Sequence, residues 1–366
     1  MRGHSRALNA VLSGALAAVT LFCGRQADQI FPLAEGLCAA GSFLASPVTA
    51  GAAALRTLED LVPVSAEAAP NTPAAAPALP SPTPAATAEP PAPAPSPEPA
   101  PPGAGTIVTA HYPHGQGEAY VPCGAGSIKN CTGLSGGDIA GTIAQGMPFS
   151  IEKNSPQPQV LIMHTHTTES YEDAPRDWYR PEATSRSTDP ARNVTTVGAA
   201  MAEELNAAGI HTIQDTTLHD YPSYNGSYAR SNKTVRGILA QYPGIKVVID
   251  VHRDAIIRQD GTWVKPLADL PEAGPCAQVM IICGADKGGN LPNFRQNLRF
   301  AAAWEEQMEA LYPGLARPVL FDYRYYNQDL TTGSLLLEVG GHANTLEEAV
   351  TAGRLAGRAL AQALLQ

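Results

Sequence analysis

The proline-rich stretch between Pro70 and Pro102 constrains this chain more than any other feature of its 366 residues. Fourteen of these 33 residues are Pro, and most of the others are Ala, Ser, Thr and Glu. Proline fixes φ and cannot donate a backbone hydrogen bond, and a segment with so little apolar bulk cannot form a core. We therefore predict a disordered Pro/Ala-rich linker over residues 66–104, followed by one folded domain over residues 105–366.

The residues before the linker have the composition of an export leader. Two arginines within the first six residues precede a mostly apolar run from Ala7 to Cys23, which predicts a signal anchor or a signal peptide over residues 1–30. An apolar, Ala-rich juxtamembrane segment follows over residues 31–65, and its small residues offer a signal peptidase a cleavage point. An uncleaved anchor and a cleaved signal both stay open, and either one predicts an exported domain with the linker as its stalk.

Charge argues against nucleic acid as the main partner. Residues 105–366 carry 20 Lys and Arg against 27 Asp and Glu. Binding to nucleic acid without sequence preference requires a basic surface, and this composition does not supply one.

Four of the six cysteines lie in the predicted domain. Cys123 and Cys131 are close together in a Gly-rich loop, which makes them candidates for a disulfide. Cys276 and Cys283 bracket a predicted strand whose ends are roughly 23 Å apart, which is far beyond disulfide reach. We expect these two to be small core residues.

From Gln159 onward, apolar patterns typical of strands and of helices alternate. Short continuous apolar runs predict buried strands, and apolar residues spaced by three and four predict helices. The predicted strands are 160–163, 211–213, 245–251, 277–283, 318–321 and 334–339, and the predicted helices are 193–209, 228–242, 293–311 and 346–365. This order predicts an α/β fold with a mostly parallel central sheet and helices on both faces.

Polar residues collect where three of these strands end. His164 and His166 follow the first strand, His252 closes the third, and Glu338 and His342 belong to the last. Functional groups of parallel sheets gather just beyond the carboxyl ends of the strands. We therefore expect these side chains to lie near one another.

The residue types in this group point to metal-assisted hydrolysis. Zinc binds neutral imidazole and carboxylate, and a catalytic zinc site leaves one position open. Two histidines and one glutamate would fill the ligand positions, and Glu338 is then the free carboxylate that accepts a proton. Glu338 stands in an otherwise apolar run, where an unpaired carboxylate is costly, and this favours a functional role. The pattern predicts hydrolysis of an amide.

Five segments of the predicted domain form an ordered set of motifs. They are VLIMHTHTTESY (160–171), PSYNGSY (222–228), VIDVHRD (248–254), YNQDL (326–330) and LLEVGGHANT (336–345), spread over residues 159–365. Together they resemble the stage II sporulation protein P family of endospore-forming bacteria. The resemblance implies a fold similar to that of zinc-dependent cell-wall amidases, which is a phosphorylase/hydrolase-like fold.

The resemblance also implies an activity, a location and partners. It implies a membrane-anchored peptidoglycan hydrolase of engulfment that acts as a zinc-dependent N-acetylmuramoyl-L-alanine amidase, with an endopeptidase activity on cross-links. Its anchor would be a single N-terminal pass through the mother-cell membrane, with the catalytic domain facing the septal space. Its partners would be stage II sporulation protein D, a lytic transglycosylase, and protein M, a membrane protein. A rival interpretation is a non-catalytic scaffold that binds the cell wall. A metal-free serine hydrolase ranks last, because neither Ser170 nor Ser334 lies in a nucleophile-elbow pattern such as Gly-x-Ser-x-Gly.

The metal and catalytic positions implied by the resemblance follow from the matched motifs. His252 takes the role of a zinc ligand, and Glu338 takes the catalytic role. The first zinc ligand is His166 or His164, and the register of the strand favours His166.

The remaining positions depend on the same resemblance. Glu169 is the expected carboxylate ligand, with Glu172 and Glu182 as alternatives in the same loop. Arg253 and His342 are adjacent to these groups and are expected to contact substrate.

Overall fold

The computed structural model of the protein describes residues 99–366. The predicted signal segment (1–30), the apolar segment (31–65) and most of the predicted linker lie outside the described residues. Residues 99–104 form neither helix nor strand, and the first strand begins at Gly105. Among residues 99–366, none of the helices has both the length and the apolar character needed to cross a bilayer.

Residues 99–366 form twelve strands and five helices. The strands are β1 (Gly105–Ala110), β2 (Tyr120–Cys123), β3 (Gly126–Asn130), β4 (Val160–Met163), β5 (Trp178–Tyr179), β6 (Thr212–Gln214), β7 (Val247–Asp254), β8 (Trp263–Leu270), β9 (Gly274–Ala277), β10 (Val279–Gly284), β11 (Ala316–Asp322) and β12 (Gly333–Gly341). The helices are α1 (Gly136–Ile143), α2 (Val194–Ala207), α3 (Ser227–Gln241), α4 (Phe294–Leu311) and α5 (Leu346–Leu364).

The large sheet has eight strands in the order β2-β3-β11-β10-β12-β7-β4-β6. Five of its seven neighbouring pairs are parallel, and the antiparallel pairs are β2 with β3 and β10 with β12. The prediction of a mostly parallel central sheet is therefore confirmed.

The two faces of the large sheet are covered by different helices. Along β4, Val160 and Ile162 belong to the main core, in which α2, α4 and α5 pack, whereas Leu161 and Met163 belong to a second cluster with α3. The side chains of a strand alternate between its two faces, so a continuous apolar run serves both cores at once. The prediction of helices on both faces is thus confirmed. The candidate site described below lies on the face covered by α3.

A second sheet of four strands, in the order β5-β1-β8-β9, was not predicted. It also shows that the predicted strand 277–283 was wrong in its extent, because Gly274–Ala277 belongs to the second sheet and β10 begins only at Val279. The reason is visible at this junction, where Gln278 is fully buried and its amide bonds to the backbone of Tyr112 and Gly314 rather than continuing either strand.

The ends of the helices follow the local chemistry of the sequence. Thr345 caps α5 through a capping box with Glu348, and Asn193 caps α2 through the backbone N–H of Thr195. Gly209 stands just beyond α2 with a φ of 85°, a conformation that glycine adopts most readily. These signals explain why the predicted helix boundaries lie within about two residues of the observed ones.

The cysteine predictions divide into one that was wrong and one that is confirmed. Cys123 and Cys131 are both free, with Cys123 buried and Cys131 exposed, so the predicted disulfide between them is wrong. Cys123 faces into the core from β2, whereas Cys131 lies beyond the end of β3. Cys276 and Cys283 are fully buried, as expected of small core residues.

Candidate active site

The carboxyl ends of three neighbouring strands form one polar edge of the large sheet. β7 lies between β4 and β12 and is parallel to both. In this register Glu338 stands beside His252, and both point to the face covered by α3. The loop after β4 brings His166 and Glu169 to the same edge.

His166, Glu169 and His252 lie next to one another. The ring centroids of His166 and His252 are 5.2 Å apart with nearly perpendicular planes, and His252 Nδ1 is 3.5 Å from Glu169 Oε2. All three side chains are buried, and His166 Nδ1 has no hydrogen-bond partner. Burial lowers the pKa of His166 to about 4 and outweighs the charge of Glu169, which raises it, so the His166 ring is neutral at physiological pH.

Asp250 supports His252 from within the same strand. Its carboxylate accepts hydrogen bonds from the backbone N–H of Thr165 (2.8 Å) and from the Thr165 hydroxyl (2.7 Å). Asp250 Oδ1 also lies 2.8 Å from His252 Nε2, although the ring is not aligned for a hydrogen bond. Burial lowers the pKa of His252, but the carboxylates of Asp250 and Glu169 outweigh it and hold that pKa well above its ordinary value.

Glu169 is held by the backbone around it. Its Oε2 accepts a hydrogen bond from the backbone N–H of Arg253 (3.1 Å), and its own carbonyl accepts from the N–H of Val194 at the start of α2 (2.8 Å). Burial alone would raise the pKa of Glu169, but the charges of Arg253 and His252 keep it well below its ordinary value. Glu169 is therefore an ionised carboxylate.

Glu338 places an unpaired carboxylate oxygen beside His252. The residue is half-buried, but its Oε2 is buried and has no hydrogen-bond partner among residues 99–366. Burial, followed by the negative charge of Asp254, raises the pKa of Glu338 to about 8. A carboxyl group with a raised pKa is suited to accept and return protons near neutral pH.

His164 does not join this group. It continues the alternation of β4 onto the opposite face, where its Nδ1 lies 2.9 Å from the carbonyl of Val251 and its Nε2 lies 2.9 Å from Gln214 Nε2. Both of its ring nitrogens are therefore occupied by protein groups. Of the two histidines that the sequence left open, the structure brings only His166 to the site.

Arg253 and His342 are both buried. The guanidinium of Arg253 donates to the carbonyls of Ser170 and Ser185 at 3.0 Å each, which fixes the loop that carries Glu169. His342 is 3% exposed and stands edge-on against Trp263 at 4.1 Å between ring centroids, and neither ring nitrogen has a hydrogen-bond partner. Their contact with substrate stays a prediction.

The alternative carboxylate ligands also lie apart. Glu172 bonds Arg176 at 3.2 Å, and Glu182 is exposed. Neither has a contact with His166 or with His252 among those that the described residues make.

Several residues at this edge were quoted only as parts of motifs. Tyr224 is stacked on His166 at 4.5 Å between ring centroids, and Tyr228 meets His166 edge-on at 5.5 Å. Tyr326 is stacked on Tyr228 at 5.4 Å, and Tyr326 and Asn327 both have positive φ. Residues with positive φ of this kind cluster at functional sites. This backbone conformation is visible only in the structure, so the sequence carries no signal for these residues.

Two observations bear on whether His166, Glu169 and His252 could bind a metal ion, and they point in opposite directions. Within residues 99–366, no set of three or more His, Cys, Asp or Glu side chains is spaced so that it could hold a metal ion. The donor chemistry nevertheless suits zinc, because two imidazoles and one ionised carboxylate adjoin and His166 Nδ1 is buried without a partner. A carboxylate beside the other nitrogen of His252 matches the outer support usual for metal-bound histidine.

Taken together, the fold and the site define an α/β protein with a His-Glu-His group beside a free carboxyl group at the carboxyl edge of a mostly parallel sheet. The model of one family, Stage II sporulation protein P (SpoIIP), matches residues 126–363. The chain belongs to the stage II sporulation protein P family, as the five motifs predicted.

Known relatives agree with this assignment. The chain is 34% identical over 200 residues to stage II sporulation protein P of Bacillus subtilis (strain 168), a region that makes up 52% of this chain and 47% of that protein. The match thus spans about half the length of this relative.

Solved structures show more distant likeness. The CwlD amidase from Clostridioides difficile, in complex with the GerS lipoprotein, has a TM-score of 0.35 and 13% identity, over 57% of this chain and 94% of that one. The N-acetylmuramoyl-L-alanine amidase AmiC2 of Nostoc punctiforme has a TM-score of 0.34 and 12% identity, over 58% of this chain and 97% of that one. Likenesses this distant say nothing about the chemistry of this chain.

Proposed function

We propose that this protein is a peptidoglycan hydrolase of sporulation that cleaves the amide between N-acetylmuramic acid and L-alanine. One observation carries the proposal: a His-Glu-His group adjoins a carboxyl group, that of Glu338, whose buried Oε2 has no partner. What distinguishes this carboxyl group is its place beside the His-Glu-His group, where a scaffold has no use for it. A hydrolase can use a carboxyl group in this position as its proton carrier.

The proposed metal ligands are His166, Glu169 and His252. Bound there, a zinc ion would polarise the scissile carbonyl and make water more acidic. The carboxylate of Asp250 stands 2.8 Å from Nε2 of His252 and stabilises positive charge on that ring, and Glu169 stays ionised because Arg253 and His252 stabilise its charge.

The reaction then depends on proton transfer by Glu338. Its Oε2 takes the proton of the attacking water and returns it to the nitrogen of the leaving amine, so that the group is unchanged after one turnover. The rings of Tyr224 and Tyr228 cover His166 and limit the access of bulk water to this edge.

We extend the proposal to further properties of the protein. The same chemistry applied to a peptide amide would give the endopeptidase activity on cross-links. An N-terminal membrane anchor would hold the domain outside the cytoplasm, in the septal space of engulfment, with stage II sporulation proteins D and M as its partners.

The full-length protein, incubated with purified sacculi, tests this function. We expect release of stem peptides with a free L-alanine amino terminus, loss of release with a zinc chelator, and recovery after zinc is added back. His252→Ala should abolish release, whereas His111→Ala is the matched control because His111 is exposed and bonds only the carbonyl of Leu267. Full release by His252→Ala would contradict the assignment.

The scaffold interpretation predicts a different result. Sacculi would then retain the protein with no peptide released and with no zinc found by elemental analysis. Zinc bound at one equivalent, together with release, excludes that interpretation.

A further inference from the structure

A cavity of about 380 Å³ opens in the loop between β4 and α2, next to the candidate active site. All of its lining residues lie between Ser170 and Arg192. A volume of this size lies in the usual range of ligand pockets. Nothing in the proposed mechanism uses this space.

The cavity is rich in arginine although the domain is acidic. Four arginines and two acids contribute to its lining; they are Arg176, Arg180, Arg186, Arg192, Glu172 and Asp173. Residues 105–366 as a whole have seven more acids than bases, with 27 against 20. The concentration of guanidinium groups in one concave place is therefore not a reflection of the average composition.

The arginines of the cavity are held in place by their neighbours. Arg192 forms two bonds to Asp173, at 2.6 and 2.8 Å, and Arg176 bonds Glu172 at 3.2 Å. Arg176 and Arg180 both stack on the ring of the buried Trp178, at 5.0 and 5.4 Å. Because such contacts already restrict the side chains, a guanidinium group loses less conformational entropy when it binds an anion. The groups are in this sense preorganised.

One residue connects the cavity to the candidate metal ligands. Arg186 lines the cavity, and its guanidinium is 3.8 Å from Glu169 Oε1 and 2.8 Å from the buried carboxylate of Asp220. Ser170, the residue after Glu169, lines the cavity as well. A molecule in the cavity would therefore extend directly from the edge where the amide is cleaved.

We propose that this cavity is an anion subsite that binds a free carboxylate of the substrate peptide, close to the scissile amide. The inference rests on the proposed function, because the substrate is taken to be a peptidoglycan stem peptide. The acidic second residue of such a peptide is linked through its side-chain carboxyl group and so carries a free α-carboxylate one residue from the amide. Arginine forks bind carboxylates in pairs of parallel hydrogen bonds, and this geometry favours a carboxylate over a neutral amide.

Calorimetric binding of two muramyl tripeptides tests the subsite apart from catalysis. One ligand carries D-glutamate at position two, and the other carries D-isoglutamine, in which the free carboxylate is an amide. The host is the full-length Glu338→Gln variant, so that neither ligand is hydrolysed. We expect about tenfold tighter binding of the acid, as for one charge-assisted contact at a partly exposed site, and a smaller preference at high salt.

A matched pair of double variants tests whether the arginines of the cavity cause the preference for the acid over the amide. Arg180→Ala/Arg192→Ala, made in the same host, should reduce the preference to less than about threefold. The control Arg354→Ala/Arg358→Ala removes two surface arginines of α5 that pair with Glu203 and Glu204, and it should keep the tenfold preference.

Two outcomes would overturn the subsite. The first is equal binding of acid and amide by the host protein, a measurement that requires no arginine variant to fold. The second is an undiminished preference in Arg180→Ala/Arg192→Ala. Failure of the proposed function would be seen elsewhere, as sacculi that release no peptide, and it would leave the binding comparison interpretable.

Discussion

Glu305 offers a direct test of how burial acts on a carboxyl group in this fold. It lies on α4, is 0% exposed, and has no hydrogen-bond partner for either carboxylate oxygen. Burial, followed by the charge of Glu309, raises the pKa of Glu305 well above its ordinary value. The folded protein therefore holds a proton on Glu305 that the unfolded chain releases.

The magnitude follows from proton linkage. Below the ordinary glutamate pKa of about 4.3, both states are protonated and Glu305 contributes no pH dependence. Above it, the folded state binds one proton more than the unfolded state, so the free energy of unfolding falls by up to about 1.4 kcal/mol for each pH unit. This loss continues until the pH reaches the raised pKa of the folded state.

Glu305→Gln replaces the titrating carboxyl group with an amide of similar size, which binds no proton in this pH range. Relative to wild type, the variant should gain up to about 1.4 kcal/mol per pH unit as the pH rises above about 4.5, measured by urea unfolding of the full-length protein. The neighbouring Glu306→Gln is the control, because Glu306 is exposed, and its curve should stay within about 0.5 kcal/mol of wild type. Parallel curves for Glu305→Gln and wild type would refute the reasoning.

Three further predictions follow from the site and its supports. Asp250→Asn should weaken zinc binding about 10- to 100-fold, measured by chelator competition, and unchanged affinity would contradict the support that Asp250 gives to His252. Glu338→Gln should lower peptide release by about 10²- to 10⁴-fold while elemental analysis still finds zinc; normal release would exclude Glu338 as the proton carrier. Gly198→Ala would place a Cβ 2.7 Å from His164 Nε2 and should cost about 1–3 kcal/mol in urea unfolding. The control Gly237→Ala meets no atom within 4 Å and should be neutral or stabilising, so equal effects of the two would refute the clash.

Six of the eight strands of the large sheet were predicted, because a local pattern marks them. Val160–Met163 and most of Gly333–Gly341 are continuous apolar runs, as a strand buried on both faces requires. Strands β2 and β3 of the same sheet were not predicted. The small sheet was missed because β8 interrupts its apolar residues with Lys265, Pro266 and Asp269. It forms through pairing of β8 with β1, more than 150 residues earlier, and no local pattern reports such a pairing.

The candidate site divides in the same way. The sequence determined which side chains are able to bind a metal or carry a proton, because residue type and position at a strand end are local properties. Only the tertiary structure decided which of them meet. The alternation of β4 turns His164 away into the main core, whereas the register of β7 and β12 sets His252 beside Glu338. The tyrosines around His166 likewise come from segments that only folding brings together, and this is why their roles could not be inferred from spacing in the chain.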